Sequence, residues 1–122
     1  MNDKLSIRPQ IKINSNISDQ SEFEQFQNSV LRPILKLQHD LIIAFFERYT
    51  KKKKINFHEL SRIKKQELIS RIFIKDHQFK TEFRGLILGQ FTEGEFRDYQ
   101  LMDSEVNRRI YSMGKERLLS TI

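Results

Sequence analysis

The 122-residue sequence contains no cysteine, no tryptophan, two prolines and four glycines. Without cysteine there is no disulfide framework, no thiolate zinc site, no iron–sulfur cluster and no thiol nucleophile. So little proline and glycine beside 31% charged residues suits helices better than a turn-rich β fold. Long apolar runs are missing too. The longest, residues 41–46, falls well short of the roughly 20 residues that cross a bilayer, and Met1-Asn2-Asp3-Lys4 begins no apolar signal-peptide core. These absences predict one cytoplasmic domain without membrane association, long enough to bury a core without covalent help.

The signatures of common enzymes are also lacking. There is no Gly-x-Ser-x-Gly, no phosphate-cradling glycine loop and no dinucleotide fingerprint. His39, His58 and His77 each adjoin an acid, but neighbours on a helix point about 100° apart and do not chelate one ion. The helical metal patterns Glu-x-x-His and His-x-x-x-His do not occur. Nothing in the sequence calls for a metal or a cofactor.

What is present is helical periodicity. In residues 1–20, apolar Leu5, Ile7, Ile11 and Ile13 fall on odd positions around Pro9, an extended pattern that reads as an N-terminal arm. That arm either lies on the domain surface or docks on a partner. The helical domain is expected over residues 21–122, opening with the capping form Ser21-Glu22-Phe23-Glu24. Phe23, Phe26, Val30, Ile34, Leu37, Leu41, Ala44 and Phe45 hold one stripe, flanked by Leu31, Leu35, Ile42, Phe46 and Tyr49. This predicts one long helix, kinked at Pro33 where the Ser29 carbonyl loses its donor.

Two shorter helices follow. Ser61 or Asn56 starts the first, with Leu60, Ile63, Leu68, Ile69, Ile72 and Phe73 buried, and Asp76 caps the second. Gly85 and Gly89, four apart, predict a close helix approach. Thr92-Glu93-Gly94-Glu95 forms a second capping box and opens a last helix read as long and unbroken, with Phe96, Tyr99, Met102, Val106, Ile110 and Met113 on one face. The expected fold is all-α: a four- or five-helix bundle or array with an extended N-terminal arm.

Charge is the strongest functional signal. Residues 51–92 hold eleven Lys or Arg against four Asp or Glu, whereas the flanking segments are close to balanced, so the middle third, at +7, accounts for the formal net charge of +6. Lysines at a helix C-terminus are favoured by the macrodipole, which accounts for part of the surplus. The remainder predicts an acidic partner. The candidate binding residues are Lys51, Lys52, Lys53, Lys54, Arg62, Lys64, Lys65, Arg71, Arg108 and Arg109. If they share a face they track phosphates, giving salt-sensitive binding to RNA or DNA. Tyr49, Phe57 and Phe79 have the phases of buried rings rather than base-stacking ones.

Asn28-Ser29-Val30-Leu31-Arg32-Pro33-Ile34-Leu35-Lys36-Leu37-Gln38-His39-Asp40-Leu41, with Gly85-Leu86-Ile87-Leu88-Gly89-Gln90-Phe91-Thr92 and Asn107-Arg108-Arg109-Ile110, resembles a group of short uncharacterised bacterial proteins. Some members carry the automatic name "glyoxalase". That name implies paired βαβββ units with metal ligands on strands, and the residues here, helical in period throughout, do not support it. The resemblance implies that Arg32-Pro33, Gln38-His39-Asp40 and Arg108-Arg109 form a shared surface, with Arg32, Gln38, His39 and Asp40 at a pocket. Two function classes stay open. The first is a non-enzymatic binding or adaptor protein with a protein partner, or RNA or DNA, as a component or regulator of a ribonucleoprotein or other large assembly. The alternative is an enzyme of unfamiliar type using the His/Asp/Gln group near residues 38–40.

Overall fold

The computed structural model describes residues 3–9 and 21–122, and every regular element among them is helical. A single turn, α1 (Asp3–Ser6), is followed by α2 (Glu22–Phe26), α3 (Arg32–Leu37), α4 (His39–Lys52), α5 (Arg62–Lys75), α6 (His77–Leu88), α7 (Glu93–Gln100) and α8 (Asp103–Leu119). The fold is all-α, but the expected four- or five-helix bundle is corrected: among the described residues seven α-helices of five or more residues form. Both long helices of the sequence reading turn out to be divided.

The first divides twice. Between α2 and α3 the chain widens into a π turn over Gln27–Leu31, where the Arg32 amide reaches back five residues to the Gln27 carbonyl. Pro33 follows this turn directly, inside a stretch whose backbone stays helical from Glu22 to Leu37, and is not the site of the break. The break comes at Gln38 (φ −90°, ψ 9°). The widened turn and the break rotate the buried face, so α4 buries Ile42, Phe46 and Thr50 while Leu41 and Ala44, assigned to the main stripe, are exposed. The last helix divides at Leu101 and Met102, where Met102 leaves helical geometry (φ −146°, ψ 36°) and α8 restarts with Asp103 and Glu105 in its first turn. Tyr99 before this break and Val106, Ile110 and Met113 after it are buried, as expected, but Phe96, placed on the same face, is 43% exposed.

Local end signals are where the sequence placed them. Ser61 and Asp76 accept from the amides of Lys64 and Phe79, capping α5 and α6. Thr92 and Glu95 form a complete capping box on α7. Ile63, expected inside, is 67% exposed, because it lies in the first turn of α5 opposite Leu68, Ile69 and Ile72.

The described part of the arm is not extended. Asp3–Ser6 is helical, and the segment is fixed to the turn between α6 and α7. Arg8 makes a bidentate ion pair with both Glu95 oxygens at 2.7 Å, with side-chain exposures of 5% and 15%, and Lys4 donates to the Phe91 carbonyl at 3.0 Å. Residues 1, 2 and 10–20, the rest of the predicted arm, lie outside the described residues.

α8 runs through the middle, touching α4, α5, α6, α7 and the π turn. Close approach occurs at neither expected glycine. Gly85 has open space where a Cβ would stand, whereas a Cβ on Gly114 would collide with the buried Phe83 ring. Gly114→Ala therefore overpacks the α6–α8 contact and is expected to cost about 1–3 kcal/mol. Gly85→Ala removes a flexible residue from a helix and is expected to stabilise by up to about 1 kcal/mol. Urea denaturation of the two variants checks both signs.

Candidate functional site

Helix α4 ends in the lysine run, and the chain reverses at Lys54, which adopts the left-handed conformation (φ 57°) that usually selects glycine. The Ile55 amide closes this turn on the Thr50 carbonyl at 2.9 Å. Lys51, Lys52, Lys53 and Lys54 are exposed there, as are Arg62, Lys64 and Arg71 on α5, while Lys65 is half-buried. The basic residues of the middle third thus come from two consecutive elements, the end of α4 and α5, with α6 beside them.

Their surroundings decide how much of that charge is free. Among the described residues one ion pair forms, Arg8 to Glu95, and it involves none of these cations. Several rest on aromatic rings instead: Lys53 lies 5.8 Å from the Tyr49 ring centre, Lys65 5.4 Å from Phe57 and Lys80 4.7 Å from Tyr111. Arg84 also turns inward, donating to the Tyr111 hydroxyl at 3.1 Å. The surplus therefore splits. Lys80 and Arg84 face α8, and the residues from Lys51 to Lys75 form the outward surface.

At its inner edge this surface meets a short hydrogen bond. Tyr49 donates to Asp76 Oδ2 at 2.6 Å, while Asp76 Oδ1 accepts from the Phe79 amide at 2.9 Å. Burial, followed by this bond to a carboxylate, raises the Tyr49 phenol from 10.0 to about 12. The same bond, together with the Phe79 amide, holds the Asp76 carboxyl below its ordinary range. Cavities of about 320 and 350 Å³ flank the pair, one lined by Arg48, Lys52 and Glu82, the other by Arg71, Lys75 and His77.

The outer face of α5 lies beside it. Ile63 (67% exposed) and Ile74 (66%) are eleven residues apart, which places them about 20° apart around the helix and about 16 Å along it. Gln66, Glu67, Ser70, Arg71 and Lys75 join them along an open groove of about 600 Å³. Periodicity placed Ile63 in the core and gave no sign of this stripe. The signal available was Ile74, which stands off the buried phase of Ile69 and Ile72 and next to Lys75.

The remaining predicted site residues are elsewhere. Gln38 donates to the Leu86 carbonyl at 3.1 Å, which ties the α3–α4 break to the end of α6. His39 Nδ1 lies 3.2 Å from an Arg117 terminal nitrogen, and Asp40 is exposed in the first turn of α4. Arg32 and Arg109 line one cavity with Lys36 and Arg117, two residues that sequence reasoning did not assign to a site, while Arg108 is exposed on α8. No residue of that cavity lines the groove on α5. Among the described residues no group of three His, Cys, Asp or Glu is placed to hold a metal ion, and no helix is long and apolar enough to cross a membrane.

Comparison with known proteins gives no match to a protein-family model, to a curated protein or to a solved structure.

The pKa shifts set a pH dependence. Asp76 is depressed, and so is Glu95, where burial alone would raise it but Arg8 and the Thr92 amide outweigh that. Their stabilisation is present above the ordinary carboxylate range and is lost as pH falls through the folded values. Tyr49 is raised, so its contribution holds below about 10 and is lost as pH rises toward about 12. Urea midpoints measured against pH are expected to fall at both ends. In Tyr49→Phe the alkaline fall is expected to become shallower, and an unchanged alkaline limb contradicts the assignment.

Proposed function

We propose that this chain is a non-enzymatic binding module, an adaptor or regulator in a larger assembly, that engages an acidic partner protein through the outer face of α5 and the adjoining end of α4. The observation that carries this is the pairing of two exposed isoleucines with unneutralised cations on one helix face. Solvated charge alone needs no apolar anchors, and an isolated exposed isoleucine needs no explanation. Ile63 and Ile74 in one stripe, flanked by Arg71 and Lys75 with Lys64 nearby, complement an acidic amphipathic segment whose apolar residues repeat at helical spacing.

A protein is favoured over nucleic acid because of the rings. Tyr49 and Phe57 are half-buried with lysines over their faces, and Phe79 is buried, so the basic surface offers no free aromatic platform for bases. In this reading the module acts in the cytoplasm. Gln38 and His39, bonded to α6 and α8, have structural tasks in it.

Fluorescence anisotropy with a labelled Glu/Leu amphipathic peptide and with single-stranded RNA tests the proposal. The peptide is expected to bind more tightly. The double change Ile63→Ser, Ile74→Ser is expected to weaken it about tenfold or more, as is Lys64→Glu with Arg71→Glu, without loss of helical content. Tighter RNA binding that ignores the isoleucines overturns it.

A further inference from the structure

Away from α5, the geometry points to a binding site for the phosphoryl group of a small phosphate ester, in the cavity of about 350 Å³ between α3 and α8. Arg32 and Lys36 enter from α3, one turn apart. Arg109, Met113, Glu116 and Arg117 enter from α8 at steps of four, three and one, which keeps them on one side of that helix. Four cations face one carboxylate, and Glu116 forms an ion pair with none of them.

None of the guanidinium groups pairs with a carboxylate among the described residues, so their charge is not cancelled. Arg32 Nε donates to Asn28 Oδ1 at 2.8 Å, which leaves its terminal nitrogens available. Arg117 is placed by His39 Nδ1 at 3.2 Å, and Arg109 has only a long contact of 3.5 Å to the Ser112 hydroxyl. Arg109 Nε is shut from solvent and has no hydrogen-bond partner among the described residues. Like charges gathered around one space are costly. An anion in the cavity offsets that repulsion.

The excess of cations over acid selects the class of anion. A single carboxylate supplies one charge and two oxygens, whereas a phosphoryl group supplies nearly two charges and three oxygens, matching planar guanidinium forks. Leu35 and Met113, both buried, form an apolar floor for the carbon skeleton of the ester. The volume lies at the small end of the range for ligand cavities. The site shares no residue with the α5 groove, so it does not depend on the adaptor reading.

Titration of the intact chain with inorganic phosphate and with glycerol phosphate, followed by the Nε–H resonances of arginine side chains, tests the site. Saturable shifts are expected at Arg32, Arg109 and Arg117. Arg32→Gln, at an exposed position that leaves the core intact, and separately Arg117→Gln, are expected to weaken binding by about tenfold each. Lys52→Gln with Lys53→Gln is expected to leave it unchanged. Vesicles of phosphatidylcholine with phosphatidic acid form a second arm. Sedimentation with these vesicles that Arg32→Gln abolishes supports the phosphoryl site and assigns the group to a lipid headgroup. Shifts that do not saturate, that spread equally over the lysines at the end of α4, or that persist in both arginine variants overturn the proposal.

Discussion

The packing of rings around Phe79 fixes how the basic surface is presented. Phe45, Phe46, Tyr49, Phe73 and Phe83 all have ring centres within 6.5 Å of it, drawn from α4, α5 and α6. Aromatic contacts in edge and offset geometry carry large buried area and fixed orientation, so this cluster sets the three helices against each other. It also holds Tyr49 where its hydroxyl reaches Asp76, the residue that caps α6. With one face of each helix committed to the rings, the charged residues between Lys51 and Lys75 turn outward.

That arrangement gives the charge its meaning. The four lysines complement the end of α4, as the macrodipole favours, yet neither they nor the cations of α5 form an ion pair among the described residues. The one well-buried ion pair is used elsewhere, to fasten the N-terminal turn to α7. The cations thus separate into three environments. One group faces α8 over Tyr111, one surrounds the cavity between α3 and α8, and one covers α5 beside its two exposed isoleucines.

Features set by local chemistry were legible in the sequence, and features set by tertiary fit were not. Asp76, Ser61 and Thr92 could be read as caps because a cap needs only its own next few amides. The π turn at Gln27–Leu31 and the break at Gln38 shift the buried face of α4 in a way that no single period expresses. The break at Met102 was signalled only by Asp103-Ser104 as a possible restart, which the apolar period of the sequence outweighed. Gly85 and Gly89 had the spacing of a close approach, but Gly114 has the neighbour that demands one. In the sites, periodicity located the lysine run. It could not bring Arg32 and Lys36 beside Arg109 and Arg117, because that juxtaposition depends on how α3 crosses α8. Spacing contained a weak hint, since Arg32 and Lys36 are one turn apart and Arg109, Met113 and Arg117 share a stripe.

The central claim is that the outer face of α5 is where the partner sits. A photo-crosslinking amino acid placed at Ser70, between Ile63 and Ile74 in the groove, tests it inside the cell, with Gln100 on α7 as the exposed control position. The account predicts a crosslink specific to Ser70, to an acid-rich segment of another protein. Crosslinks to nucleic acid, or none beyond those seen from Gln100, contradict it.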